Sequence, residues 1–524
     1  MDRELDLLEY ETSRLKEIYS LLYPDDRVLL LIENTCEGYF SRPVVIDYQN
    51  TYQFLKVGEN YHVHVELGTE KADLPTKIFR ITANFRKATI ASVAPTNRHP
   101  SWRWRIIAKV RQTLSHRSPI AYERLKEFYL QRLERHGHSY HRLLNLNNPK
   151  NQVALPHIQK TDRTRAALVC MHWLDVGGAE SFAVDSCRLF HEKGYETIVL
   201  SAHNARRHYY QKLATSHKVY EIDRQVPAGE ESRFICSLIR QQSISVIHNH
   251  HNSYLYESLA AIRVLTPNIQ VIDSLHIDEK NRFGGGFPRV SIVWSNYIDI
   301  HHVISLRLKK LLTTHGIHSQ KVIIGHLGKD LTPPESFSIS SSLSAKKLRL
   351  CFVGRMTGQK RPLLVAAMLI WAVKQGRRQG FDVKVDIVGD GLYLSALQAF
   401  VRHSRVSTAF TLHGASTDVE KLMKQCDILV LGSENEGITL VAYEAFRNGC
   451  LVASTDVGAQ RELVPDEMLL PAGTQEAYSQ WKKVFRQVLE DTCFVEHAQK
   501  NFIRKAQEIA GYPTAEEAIS KLLD

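Results

Sequence analysis

The first nineteen residues, MDRELDLLEYETSRLKEIY, have no apolar core of the kind a signal peptide needs, and no later apolar run approaches the length that crosses a bilayer. These absences lead us to expect a protein that stays in the cytoplasm, with any membrane contact peripheral and on the inner face. The eight cysteines, at positions 36, 170, 187, 236, 351, 426, 450 and 493, include no C-x-x-C pair. Several lie inside apolar strands, so they read as reduced, buried thiols. Twenty-five histidines include no H-E-x-x-H or similar spacing, and no metal held by protein side chains is expected. No nucleic-acid recognition motif accompanies the net charge of +11, which argues against a nucleic-acid partner.

What is present is an ordinary globular composition, 44% hydrophobic and 23% charged, over 524 residues, enough for three or so domains. Residues 1–97 read as a β-rich accessory module. Apolar positions at helical spacing (Leu5, Leu8, Leu15, Ile18, Leu21, Leu22) suggest one helix over 4–22. Strands are then expected at 27–33, 43–48, 61–67, 77–83 and 89–93. Nothing in the module looks catalytic.

Charge is concentrated next. Between Arg98 and Arg142 eleven Lys or Arg face three acids, Glu123, Glu127 and Glu134. Two helices interrupted at Pro119 are expected in this basic belt, which with the following linker makes up residues 98–165. Interfacial tryptophans among the cations suit an anionic membrane surface over 98–142. A solvated basic helical hairpin that docks two domains accounts for the same residues equally well.

From Ala166 onward strands alternate with helices, which predicts two doubly wound α/β domains of Rossmann type. The first spans 166–335, the second 346–495, and a helical tail follows over 496–524. Pro333 to Ala345, PPESFSISSSLSA, marks the joint.

Chemistry is expected in the loops that follow strands. Gly177-Gly178-Ala179-Glu180 opens a helix whose first amides could meet a phosphate, although glycine there also makes a plain tight turn. Arg355 and Lys360, in GRMTGQK after a strand, could clamp a diphosphate. Gly389 and Gly391 form another strand-to-loop turn, VGDG, and His413-Gly414 ends the next strand. Asp427 to Glu462 reads as strand, loop, helix and strand. Gly437 would allow close backbone approach, and helix-start amides near Ile438, Thr439 and Leu440 would attract an anion. Glu436 and Glu444 offer carboxylates that accept hydroxyl hydrogen bonds.

Taken together, GGAE, GRMTGQK, VGDG, EGITLVAYEA and TDVGAQRELV resemble the GT-B glycosyltransferases of family 4, the retaining group 1 transferases. The resemblance covers Ala166 to the end and leaves the first 160 or so residues unexplained. It implies a nucleotide-sugar donor, a UDP- or GDP-sugar, bound by the second domain. A glycan, lipid-linked or protein acceptor would lie against the first, in cell-envelope polysaccharide or glycoconjugate synthesis. It further implies that Arg355 and Lys360 bind the donor phosphates, that Glu444 binds the ribose and Glu436 the sugar, and that His276 faces the sugar ring. Gly177, Gly178, Gly389, Gly391, His413, Gly437, Ile438, Thr439 and Leu440 would complete the donor site. No cofactor is implied. Ala459 stands where the family's second glycine usually lies, and His326-Leu327-Gly328-Lys329-Asp330 replaces the usual Asn-Gly-Val-Asp. A GT-B nucleotide-sugar epimerase, or a catalytically silent glycan-binding scaffold, would share most of these residues.

Overall fold

The computed structural model describes residues 13–23, 28–34, 44–45, 61–67, 77–83, 113–134, 165–203, 208–279, 286–415 and 418–524. The strand expected at 89–93, and residues 98–112 and 135–142 of the basic belt, fall outside them.

Four strands near the start form one sheet: β1 (Val28–Asn34), β2 (Val44–Val45), β3 (Tyr61–Leu67) and β4 (Lys77–Ala83), in the order β2-β4-β1-β3. The β1 strand runs antiparallel to β3 and parallel to β4. Residues 13–22 are helical. They bury Leu15, Ile18, Tyr19 and Leu22 in the core of the first large domain.

That domain holds β5 (Ala166–Met171), β6 (Glu196–Ser201), β7 (Lys218–Glu221), β8 (Ile244–His250), β9 (Gln270–Leu275), β10 (Ile300–Val303) and β11 (Val322–Ile324). The second holds β12 (Lys347–Val353), β13 (Asp382–Val388), β14 (Phe410–Gly414), β15 (Ile428–Leu431), β16 (Leu451–Thr455) and β17 (Leu469–Leu470). Every pairing in both sheets is parallel. Such strands need apolar side chains on both faces, which is why β5 and β15 read as unbroken apolar runs and are buried along their whole length.

The orders β11-β10-β9-β8-β5-β6-β7 and β14-β13-β12-β15-β16-β17 each reverse beside the first strand of the domain. This is the doubly wound arrangement, with its ligand crevice outside the carboxyl ends of the strands at the reversal. The loops after β5 and β8 and those after β12 and β15 therefore occupy the favoured positions of their two sheets. The α/β class with two Rossmann-like domains read from the sequence is the architecture present.

Helices flank the sheets. Those used below are α1 (Pro119–Glu134), α2 (Gly178–Glu192), α3 (Ser253–Leu265), α4 (Leu306–Thr314), α5 (Pro362–Arg378), α6 (Leu440–Arg447), α7 (Thr474–Glu490), α8 (Thr492–Ala510) and α9 (Ala515–Leu523). The tail, expected as one helical stretch, is two helices, because Gly511-Tyr512-Pro513 interrupts it and proline cannot continue a helix. Ala498, Phe502 and Ala506 of α8 lie in the core of the second domain, whereas Ala515 and Ile519 of α9 lie in that of the first. The crossing is pinned by His326, whose amide donates to Pro513 O at 3.0 Å and whose carbonyl accepts from Ala515 N at 2.8 Å. The helices α8 and α9 thus tie the two halves together.

Candidate active site

The loops at the two crevices meet each other. Asp278, just beyond β9, donates its amide to Glu436 O at 3.2 Å in a short antiparallel bridge between the domains. Gly437 is glycine for a steric reason, since a Cβ there would fall 2.2 Å from His276 O. Gly178, at the start of α2, faces α6, and a Cβ on it would sit 3.5 Å from Leu440 Cδ1. The phosphate-type loop of one domain thereby abuts the helix start of the other.

Lys360 Nζ lies 2.5 Å from Glu436 Oε1, with both side chains largely buried. Arg355 acts electrostatically on Glu180 across the cleft. Burial pushes the Glu180 carboxyl up to about 7, and Arg355 and the Trp173 indole pull it partly back. A raised carboxyl contributes stability that is present below its unfolded range and lost as pH rises through about 7.

His276 is buried, its Nε2 3.0 Å from His250 Nδ1 and its amide donating to His251 Nε2 at 3.3 Å. Two residues before Leu275, Asp273 anchors the end of β9. Its carboxyl accepts from Asn249 at 2.8 Å, from Tyr256 OH at 2.8 Å and from Ser291 Oγ at 2.5 Å. Burial still holds Asp273 above the usual carboxylate range. A charge so enclosed persists only where donors surround it.

The helix start at α6 is partly occupied from within. Thr439 makes no side-chain cap. Its amide instead donates to Gln460 Oε1 at 3.1 Å, while Gln460 Nε2 reaches Ser454 Oγ at 3.0 Å. The Thr439 amide expected to face an anion is therefore engaged, leaving the next amides of the first turn, at Leu440 and Val441, as the better candidates. Ile438 is buried in the second domain's core. Gln460 was missed by sequence reading. Its signal was a glutamine buried in the VGAQRE segment, where the usual glycine pattern breaks down.

Gly389 and Gly391 hold loops together. Both have positive φ, and a Cβ on Gly389 would meet Gly354 O at 1.9 Å. Their amides donate to Gly414 O and to Asp390 Oδ1, both at 2.7 Å, so neither points at a ligand here. The His413 imidazole is likewise engaged, 2.7 Å from Asp386 Oδ1. Glu444 faces solvent on α6, yet desolvation raises its carboxyl, with Arg447 opposing and Glu420 reinforcing the shift. It makes no contact across the cleft among the described residues. Arg361, also missed, takes a left-handed backbone at φ 44° and is buried. Its guanidinium donates to Gly432 O, to Ala472 O at 2.8 Å and to Ser433 O at 3.0 Å, stitching the loop after β12 to the loop after β15.

A second latch crosses the cleft at the rim. The Glu462 carboxylate accepts from the amides of Leu306 and Arg307, at 2.9 and 2.7 Å, at the start of α4. Arg307 also pairs with Asp278 at 2.6 Å. Glu462→Ala should cost about 1–2 kcal/mol, the usual worth of a helix N-cap. The midpoint of urea unfolding measures this, and an unchanged midpoint would show that the latch adds nothing.

Among the described residues one group has metal-ligand chemistry, Cys351, Cys426 and Cys450, with sulfur atoms within 4.8 Å of one another. All three are buried, and burial pushes each thiol well above its usual range. Burial of this kind favours the thiol over the thiolate. Cys493, expected buried, is exposed, and Cys36 lies outside the described residues. No helix among the described residues is long and apolar enough to cross a membrane.

No curated protein matches the chain. Among solved structures, a TarM variant from S. aureus, determined with Fondaparinux, alpha-GlcNAc-glycerol and UDP, is 12% identical with a TM-score of 0.50. The match covers 69% of this chain and 100% of that one. HepE from Anabaena, determined with UDP-glucose, is 17% identical over 69% of this chain and 98% of that one, with a TM-score of 0.48. The first likeness shows the fold, two Rossmann-like domains in the GT-B arrangement. The stretch that builds the second domain and its crossing helix, residues 335–509, matches the family described as glycosyl transferases group 1.

Proposed function

We propose that the chain is a retaining glycosyltransferase that moves a sugar from a nucleotide-sugar donor to a glycan, lipid-linked or protein acceptor. The observation that carries this reading is the meeting of both crevices on one spot. The Lys360–Glu436 pair, Arg355, the first turn of α6 and His276 approach it from two domains. The group 1 match over the donor-side domain supports it.

In this reading Arg355, Lys360 and the α6 amides stabilise the negative charge that grows on the departing diphosphate. Fixed cations and dipoles in a water-poor cleft are the largest usual source of such catalysis. Glu436 accepts from the sugar's hydroxyls and Glu444 from the ribose. His276, held neutral by burial, offers a ring nitrogen toward the acceptor side. No covalent nucleophile is assigned, because a front-face path lets the leaving phosphate take the acceptor's proton. The protein's own groups supply the positive charge, so the reaction is written without a metal or cofactor.

The test is a panel of UDP- and GDP-sugars, read as donor hydrolysis and thermal stabilisation. UDP-glucose is a sensible first compound. One donor should stabilise and turn over, and Glu444→Gln should raise its KM about tenfold by removing a charge-assisted hydrogen bond. Release of an epimerised free sugar instead would favour the epimerase reading. No response to any donor would favour a silent scaffold.

A further inference from the structure

The accessory region reaches the candidate donor site through one side chain. Helix α1 lies on the second domain, with Tyr122 in that domain's core and Pro119, Glu123, Lys126 and Glu127 on the same side at helical spacing. Its far side, with Leu125 and Phe128, is exposed. The inward face joins apolar Pro119, Ile120 and Tyr122 to polar Glu123, Lys126 and Glu127, so the helix docks through charged groups as well as by apolar burial. Tyr122, Lys126 and Glu127 each hydrogen-bond the second domain, while the Glu123 carboxyl oxygens are buried with no hydrogen-bond partner among the described residues. Tyr122 OH lies 3.1 Å from Tyr393 OH, and Glu127 Oε2 accepts the amide of Thr474 at the start of α7 at 3.4 Å. Lys126 Nζ donates to Gly358 O at 2.9 Å and to Glu434 Oε1 at 2.6 Å, with Glu123 Oε2 at 3.5 Å.

Gly358 sits between Arg355 and Lys360, and Glu434 sits two residues before Glu436. The ammonium therefore bridges the loop that carries both phosphate-type cations and the loop that carries the sugar-facing glutamate. Those loops also touch directly, Glu434 N donating to Gln359 O at 2.8 Å and Gln359 Nε2 to Asn435 O at 2.9 Å. Burial raises the Glu123 carboxyl, Glu434 adds to the shift, and Lys126 and Arg361 oppose it.

We propose that Lys126 is a positioning residue of the donor site, fixing the spacing between Lys360 and Glu436 from a segment that lies outside both Rossmann-like domains. The proposal rests on the donor-site reading above for its functional half and on the geometry alone for its structural half. It makes the region before residue 135 part of the machinery rather than only an address label.

The experiment compares Lys126→Met, Lys126→Arg and, as a control on the exposed side of α1, Arg124→Met, all in the full chain. Amide hydrogen exchange over 354–361 and 432–439 reads the clamp without any ligand. Binding of UDP and of GDP reads the donor site. Lys126→Met should speed exchange in both loops and weaken the bound nucleotide about tenfold, the usual effect of one charge-assisted hydrogen bond. Lys126→Arg should keep most of the affinity. Adding Glu434→Gln to Lys126→Met should cost little more, since both changes cut the same link. Unchanged exchange in the two loops, or an equal change in Arg124→Met, overturns the clamp. Faster exchange in a protein that binds neither nucleotide would leave the clamp standing and sink the donor-site reading instead.

Discussion

Lys360→Met should lower turnover on the accepted nucleotide sugar about 10²–10³-fold, the loss seen when one group that stabilises transition-state charge is removed. The argument runs from position to energy. Lys360 follows β12 at the reversal of the second sheet, and its ammonium is held 2.5 Å from Glu436 with little solvent access. A cation placed in advance costs no reorganisation when the diphosphate departs. Removing it also strands the Glu436 carboxylate, at about 2–3 kcal/mol for a pair that is mostly but not wholly buried. Stability and catalysis must therefore be separated. Lys360→Met combined with Glu436→Gln leaves no unpaired charge, so it should recover most of the stability of Lys360→Met while turnover stays low. Steady-state rates and urea midpoints on the three variants decide this. Wild-type rates in Lys360→Met would remove the lysine from the mechanism.

The second large effect is acid lability of the first domain. Its sheet carries a chain of neutral imidazoles whose donors can be assigned. His302 Nε2 must donate to Gly325 O at 3.1 Å, so its Nδ1 accepts from Ser274 Oγ at 2.9 Å, and Ser274 in turn accepts from His248 Nε2 at 2.7 Å. A proton added at His302 Nδ1 would face the Ser274 hydroxyl that now donates to it, and one added at His248 would sit on a buried Nδ1 with no hydrogen-bond partner among the described residues. Burial lowers His172, His301 and His302 to about 4 and His251 to about 3, and holds His248, His250 and His276 well below their usual value.

The sign follows from linkage. These groups are neutral in the folded state while the unfolded chain takes up protons near 6.5, so their contribution is complete above about 6.5 and is lost as pH falls toward 4. Each contributes a slope of about 1.4 kcal/mol per pH unit in that window. Glu180 and Asp273, raised by burial, slope the other way and offset part of it. The slopes of several histidines add, and a typical total stability is only about 5–15 kcal/mol. The melting temperature should fall steeply between pH 6.5 and 4.5, with net proton uptake on unfolding. A flat profile across that range would mean the imidazoles are not held neutral.

Much of the fold was legible because parallel strands buried on both faces must be continuously apolar. The segments at 166–171 and 428–431 announce themselves by that alone, whereas Asp382–Val388 carries Lys384 and Asp386 among its apolar residues. The loops expected to carry a ligand were legible as loops for a related reason, since in a doubly wound sheet they directly follow the strands, which are a visible landmark. The place of His276 was expected only from the family resemblance, and the structure buries it beside His250 and His251. What could not be read were roles that depend on a partner far along the chain. The imidazole of His413, which the resemblance puts in the donor site, is held by Asp386 27 positions earlier. The Thr439 amide looks available until Gln460 is folded over it.

The sequence by itself determined two Rossmann-like halves and the order of the loops that follow their strands, because periodicity and strand-to-loop spacing are local and survive in one dimension. Only the tertiary structure decided how the halves are fastened. It put Glu462 on the start of α4, Lys126 between Gly358 and Glu434, and the last helix in the core of the first domain. Each of these joins residues more than 150 positions apart, whose meeting depends on the packing of whole domains and leaves no period or spacing in the chain.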